Sequence, residues 1–175
     1  MFYNCQDLSD LTINWSNFDT SRVTNMGGMF QNCSSLTELD LTDFDTSNST
    51  SMFALFSGCS SLRSLDVSSF DTHEVVNMDS MFYDCEKLTS LDVSSFDTHE
   101  VTSMSSMFSS CFVLTDLDLS RFDTSEVVNM ASEQKEKLIR FYKGTEGEEI
   151  VIKLVDLAEN VLRTQKFRIS GFLDP

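Results

Sequence analysis

Apolar and polar positions alternate along this chain in a pattern that repeats, and the clearest copy runs Leu88-Thr-Ser-Leu-Asp-Val-Ser-Ser-Phe-Asp-Thr-His-Glu-Val-Thr-Ser-Met-Ser-Ser-Met-Phe-Ser-Ser-Cys111. Leu91 and Val93 flank Asp92 with the period of two of a strand, and Val101 to Met104 reads as a second short strand. Met107, Phe108, Cys111 and Leu114 follow at intervals of one, three and three, which predicts a helical turn facing inward. One unit is therefore expected to be strand, turn, strand and short helix.

The same unit recurs. Phe-Asp-Thr begins at Phe18, Phe44, Phe70, Phe96 and Phe122, always 26 residues apart. Cysteines stand at 5, 33, 59, 85 and 111, one interval of 28 followed by three of 26, so the first unit carries two extra residues, placed near Trp15. A period of this length is the signature of a stacked array. No unit holds enough apolar surface to fold alone, but stacking sets Leu on Leu, Phe on Phe and Cys on Cys. The expectation for residues 1–132 is a solenoid of about five 26-residue units, with short parallel β-strands, turns and short helices. At about 4.8 Å per strand such a body is ~25 Å long. Each buried Phe contributes roughly 1.5–3 kcal/mol, so the Phe18, Phe44, Phe70, Phe96, Phe122 column is expected to be a main source of stability.

The pattern stops after Met130-Ala-Ser132, and residues 133–175 read as a two-helix segment. Ser132 caps a helix to about Lys143, closed by Gly144. Thr145 and Glu148 form a capping box for a second helix to about Thr164, with Ile150, Leu154, Leu157, Ala158 and Val161 on one face. This segment is either a helical cap over the last coil or a foreign segment joined to the array. Met1-Phe2 falls in register with Met-Phe inside later units, so the array is expected to start and end mid-unit, within a longer protein.

Composition changes the picture through charge. The net charge is −16, and all of the excess lies in residues 1–132, with 20 acidic against 4 basic residues, while 133–175 carries 8 of each. Such a surface repels nucleic acid and anionic lipid and favours basic protein patches or divalent cations, so no nucleic acid is expected on the repeats. No run approaches the ~20 apolar residues of a membrane span, and no basic stretch followed by an apolar one opens the chain.

Candidate chemistry falls in columns. Asp40, Asp66, Asp92 and Asp118 lie between inward-facing apolar residues and are expected to form an exposed acidic stripe about 5 Å apart. They are the principal candidates for ligand contact, with Trp15 in the irregular first unit as an aromatic contact residue or the filler of a bulge. Calcium between successive carboxylates is a further reading, against which stands the lack of a glycine-rich calcium turn. Asp19, Asp45, Asp71, Asp97 and Asp123 precede Thr, as residues that bond turn amides do. Asn25, Asn77 and Asn129, with Ser51 and Ser103 at the same position, are expected to satisfy backbone groups. His73-Glu74 and His99-Glu100 occupy equivalent turns, and a metal held by His73, His99, Glu74 and Glu100 is weighed against duplicated surface turns. The five cysteines share one core position and are odd in number, which suits buried free thiols better than a disulfide ladder. Asn14, Asn32 and Asn48 begin glycosylation triplets of a kind that arises by chance in such sequence. No nucleophile, base and acid stand together, so no enzyme is expected.

The phrases Leu-Asp-Val-Ser-Ser-Phe-Asp-Thr, Val-Val-Asn-Met and Met-Phe-Tyr-Asp-Cys between Leu65 and Cys85 resemble the BspA-like leucine-rich repeats of microbial surface proteins. The resemblance covers residues 1 to about 132. It implies a leucine-rich-repeat-like solenoid at the cell surface or outside the cell, with no catalytic residues, binding host-matrix or cell-surface proteins in adhesion; beyond the calcium reading above, no cofactor is expected. The alternative role is a structural spacer or cation-stabilised stalk. In the last segment, Leu154-Val-Asp-Leu-Ala-Glu-Asn-Val161 and Gly171-Phe-Leu-Asp-Pro175 resemble the start of bacterial S4-domain RNA-binding proteins, ahead of their RNA-binding module.

Overall fold

The structure is a computed structural model that describes residues 1–9, 18–114, 117–119 and 121–128, together with the backbone of three later strands. The proposed contact residue Trp15 and the junction at 132–133 lie outside these residues. The described residues up to 128 form a repeat stack whose core recurs every 26 positions. Leu41, Val67, Val93 and Leu119 make one buried column, Phe44, Phe70, Phe96 and Phe122 a second, and Phe30, Phe56, Phe82 and Phe108 a third. Phe18, expected to open the second column, is instead 37% exposed.

The two Phe columns are the centre of the core. Phe2, Phe30, Phe56, Phe82 and Phe108 stack with ring centroids 5.6, 5.6, 5.7 and 5.6 Å apart. Phe44, Phe70, Phe96 and Phe122 follow at 6.0, 6.4 and 6.4 Å. The columns also touch each other, at 6.3 Å between Phe30 and Phe44 and again between Phe56 and Phe70. Identical rings at the same position of every coil are thereby held in offset-stacking range.

No helix is present among the described residues, which corrects both helical expectations. In the repeats, the segment from Met26 to Cys33 is a run of tandem turns. The N–H groups of Met29, Gln31 and Cys33 donate three residues back, to the carbonyls of Met26, Gly28 and Phe30. The alternate N–H groups of Met26, Gly28, Phe30 and Asn32 instead cross to the next coil, donating to Ser51, Phe53, Leu55 and Ser57 at 2.7–3.0 Å. An α-helix would need all of these donors within the segment. Every fourth residue of the run has positive φ, at Gly28 and Asn32, Ala54 and Gly58, Ser80 and Asp84, Ser106 and Ser110. The apolar intervals of three that suggested a helix are produced here by successive three-residue turns.

Strand pairing in the repeats is equally local. Isolated parallel bridges join Asn25 to Ser51, Ser51 to Asn77 and Asn77 to Ser103, which is where the second strand of each unit was expected. Thr50, Val76, Thr102 and Val128 extend this contact by donating N–H to Thr24, Thr50, Val76 and Thr102.

Where the sequence predicts two helices after Ser132, the chain forms three strands, β1 (Leu138–Lys143), β2 (Glu149–Val155) and β3 (Val161–Arg168). They make one antiparallel sheet in the order β1-β2-β3, with Leu138 opposite Val155 and Lys143 opposite Ile150. Glu149 pairs with Arg168 and Ile150 with Phe167, and the register shifts between Leu154 and Val155. The β-branched run Ile150-Val-Ile152 favours strand over helix once a neighbouring strand supplies the hydrogen bonds.

Candidate binding face

Four successive coils each present one aspartate between two inward-facing apolar residues. Asp40, Asp66, Asp92 and Asp118 are all exposed, while Leu39 and Leu41, Leu65 and Val67, Leu91 and Val93, and Leu117 and Leu119 are buried on either side. Three of these carboxylates are held by turns. Asp40 Oδ1 accepts from the Thr42 N–H at 3.0 Å and its hydroxyl at 2.6 Å, and Asp66 and Asp92 accept from the N–H of Ser68 and Ser94 at 2.9 Å. The hydroxyl bonds of Thr42, Ser68 and Ser94 hold Asp40, Asp66 and Asp92 below the usual carboxylate range, against the repulsion that Asp66 exerts on both neighbours. Bonding to the charged form favours ionisation, so Asp40, Asp66 and Asp92 are anionic at neutral pH. Beside it lies an open groove of ≈ 480 Å³, with Ser64, Leu65, Asp66, Ser90, Leu91, Asp92, Val93 and Asp118 along its walls.

The second aspartate column is structural, as the sequence suggests. Asp19, Asp45, Asp71, Asp97 and Asp123 each accept, through Oδ1, the N–H two residues on, at 2.9–3.2 Å. The Thr that follows does something local reasoning did not find. The Thr72 hydroxyl donates to Asp97 O at 2.8 Å and accepts from Asp97 N–H at 2.8 Å, and Thr46 and Thr98 bridge Asp71 and Asp123 in the same way. Thr20 accepts from Asp45 N–H at 2.8 Å. These threonines are buried. Their presence in every Phe-Asp-Thr was the available signal. Asn25 and Asn77 accept the N–H of Gly27 and Asp79 at 2.8 Å, whereas Asn129 lies outside the described residues.

The histidine turns form small ion pairs. His73 Nδ1 lies 2.6 Å from Asp71 and its Nε2 3.3 Å from Glu74; His99 repeats this with Asp97 at 2.7 Å and Glu100 at 3.4 Å. The Asp71 and Asp97 hydrogen bonds raise the two imidazole pKa values, which favours imidazolium over a metal-ligating neutral ring. Among the described residues no three His, Cys, Asp or Glu side chains are grouped to hold a metal.

All five cysteines are free, with Cys33, Cys59, Cys85 and Cys111 buried. Each of these four thiols donates to a Phe carbonyl one coil back, Cys33 to Phe2, Cys59 to Phe30, Cys85 to Phe56 and Cys111 to Phe82, at 3.0–3.3 Å. Burial pushes Cys59 and Cys111 up to about 12 and Cys85 well above its ordinary value, so thiolate, the reactive form, is disfavoured. Among the described residues no helix is long and apolar enough to cross a membrane.

A family model matches residues 1–111 and again 64–138, overlapping placements of the kind a periodic sequence allows. No curated protein matches the chain. No solved structure matches it. The family match covers the whole repeat stack and most of the chain, and on that ground the protein belongs to the family described as Mycoplasma protein of unknown function, DUF285.

Proposed function

We propose that the repeat region is a non-catalytic protein-binding or adhesion module of the BspA-like leucine-rich-repeat kind, displayed at a microbial cell surface. The observation that carries this reading is the column Asp40, Asp66, Asp92, Asp118, one exposed carboxylate per coil. The turn bonds fix Asp40, Asp66 and Asp92 before any ligand arrives, so little order is lost on binding. A contact too weak to matter alone gains strength when the same group recurs along a rigid body and several engage together. The partner on this reading is a protein, such as a host-matrix or cell-surface protein, and the excess of acid disfavours nucleic acid. The non-catalytic part of the reading is supported by the inert thiols and by imidazoles already engaged by carboxylates.

The test is binding of immobilised matrix and cell-surface proteins to the chain, followed by surface plasmon resonance. Saturable binding that weakens as Asp residues of the column are replaced supports the module. A complete lack of saturable binding, together with a calcium-dependent rise in melting temperature, supports instead a spacer or cation-stabilised stalk. The mutual repulsion of Asp66 with Asp40 and Asp92 is the feature that a bound cation would relieve.

A further inference from the structure

The strands β1, β2 and β3 reverse the charge of the repeats. They carry six basic residues, Arg140, Lys143, Lys153, Arg163, Lys166 and Arg168, against one acidic residue, Glu149, whereas residues 1–132 carry 20 acidic against 4 basic. The register sorts them by face, because directly opposed positions of an antiparallel sheet share a face, as do positions two apart along one strand. Arg140 is opposed to Lys153, Tyr142 through Val151 to Lys166, and Glu149 to Arg168. Four of the six cations therefore fall on one face, with a single acid. Ile139 and Leu154, Phe141 and Ile152, and Ile150 and Phe167 are opposed on the other. The sheet is thus apolar on one face and cationic on the other, and each of its three strands supplies at least one of the cations.

We infer that the cationic face of this sheet docks on the repeat stack of a second copy of the chain, along Asp40, Asp66 and Asp92. The two arrays share one pitch for one reason. Hydrogen bonding between neighbouring backbones sets about 4.8 Å from strand to strand in the sheet and from coil to coil in the stack. Laid with its strands along the coils, the sheet brings one cation-bearing strand to each of three successive carboxylates. Those carboxylates are exposed and fixed by their turns, so the contact orders little on the acidic side. The net charge of −16 keeps whole copies apart. That repulsion is screened beyond about 8 Å at physiological salt, whereas opposite charges in close contact still attract. Because two different surfaces meet, the contact is heterologous and propagates head to tail. It needs no foreign ligand and goes beyond the reading above.

The experiment is analytical ultracentrifugation of the whole chain over about a twentyfold range of concentration, in low salt and in about 0.5 M salt. In low salt the mean mass is expected to exceed that of one chain and to rise with concentration; in high salt it is expected to return to one chain. R140Q/K153Q and D66N/D92N are each expected to weaken association by about fivefold or more. D66N/D92N keeps the oxygens that accept the turn N–H and removes two negative charges from a chain of net −16. Net-charge repulsion alone would make that variant associate more strongly, which is the opposite sign. An equimolar mixture of the two variants is expected to form pairs and nothing larger, since one keeps the carboxylates and the other the cationic face. K143Q/R163Q, which removes two cations from the other face, is expected to change association by less than about twofold. If R140Q/K153Q fails to fold by circular dichroism, D66N/D92N against the native chain decides alone. The mass of one chain at every concentration in low salt overturns the inference, and a salt-dependent Stokes radius in that case gives the contact to the chain's own stack. Equal losses for R140Q/K153Q and K143Q/R163Q overturn it too, as does an association that D66N/D92N leaves unchanged or strengthens. Binding of a single-stranded oligonucleotide in place of self-association overturns it in favour of a nucleic-acid face.

Discussion

At the scale of single residues, the repeat is held by side chains that complete backbone bonds between coils. Thr72 is the clearest case, because its hydroxyl serves both the N–H and the C=O of Asp97. Thr72→Val keeps the shape and leaves both groups without that partner, so a loss of about 2 kcal/mol is expected in denaturant unfolding. Thr72→Ser, which loses only a methyl group, should cost about 1 kcal/mol or less. The buried thiols act similarly on Phe carbonyls, and a thiol reagent should label Cys5, the half-buried one, while Cys33, Cys59, Cys85 and Cys111 react only on unfolding. Rapid labelling of more than one thiol in the native protein would contradict this. The two histidines give a pH dependence of defined sign. Asp71 and Asp97 raise the folded-state pKa of His73 and His99 above the unfolded value of about 6.5. Their contribution is therefore complete below about pH 6.5 and is lost as pH rises through the folded pKa. The melting temperature of H73S/H99S should fall below that of the native protein at mildly acid pH and approach it in alkali. A constant gap across that range would show the ion pairs to be irrelevant.

At the scale of elements, the decisive feature is the run of tandem turns. The sequence shows Met107, Phe108 and Cys111 inward, and the structure buries all three, yet intervals of three suit a helix and a series of turns alike. What separates them is a backbone conformation that recurs every fourth residue. Gly28, Asn32, Gly58 and Asp84 include residue types that tolerate positive φ, and their spacing was a readable sign; Ala54, Ser80, Ser106 and Ser110 at equivalent places obscured it. Gly58 has φ +75°, and a Cβ there would lie 2.4 Å from Asn32 Oδ1 and 3.3 Å from its Cα. Gly58→Ala should accordingly cost at least about 1 kcal/mol. Ser80→Gly, at φ 56°, should raise stability by up to about 1 kcal/mol, because relief of the left-handed strain exceeds the entropy glycine adds to the unfolded chain. A loss of stability there would mean that the Ser80 side chain contributes more than its backbone strain costs. The same ambiguity misled the reading of residues 138–168. Apolar positions compatible with one helical face also alternate along Glu149–Val155, and pairing on both sides with β1 and β3 selects the strand.

At the scale of the molecule, stability runs along the stack, because each coil touches only its neighbours. Phe56 is fully buried and stacks on Phe30 and Phe82 at 5.6 and 5.7 Å. Phe56→Ala should cost about 3–5 kcal/mol, measured by denaturant unfolding, since it empties the middle of a column that both sides share. A net charge of −16 opposes compaction. Moderate salt, by screening the acidic columns, should raise the melting temperature. The 26-residue period, the columns from Phe44 onward and the outward direction of Asp40, Asp66, Asp92 and Asp118 were determined by the sequence alone, because identical residues in a stack must meet their own kind, whereas only the structure took Phe18 out of its column. Only the tertiary structure decided that the third segment of each unit is a ladder of turns, that the threonines and thiols bond the neighbouring coil, and that residues 138–168 form a sheet. In each of these the deciding partner comes from another coil, some 25 to 29 residues away, or from another strand, beyond the reach of any local pattern of apolar and polar positions.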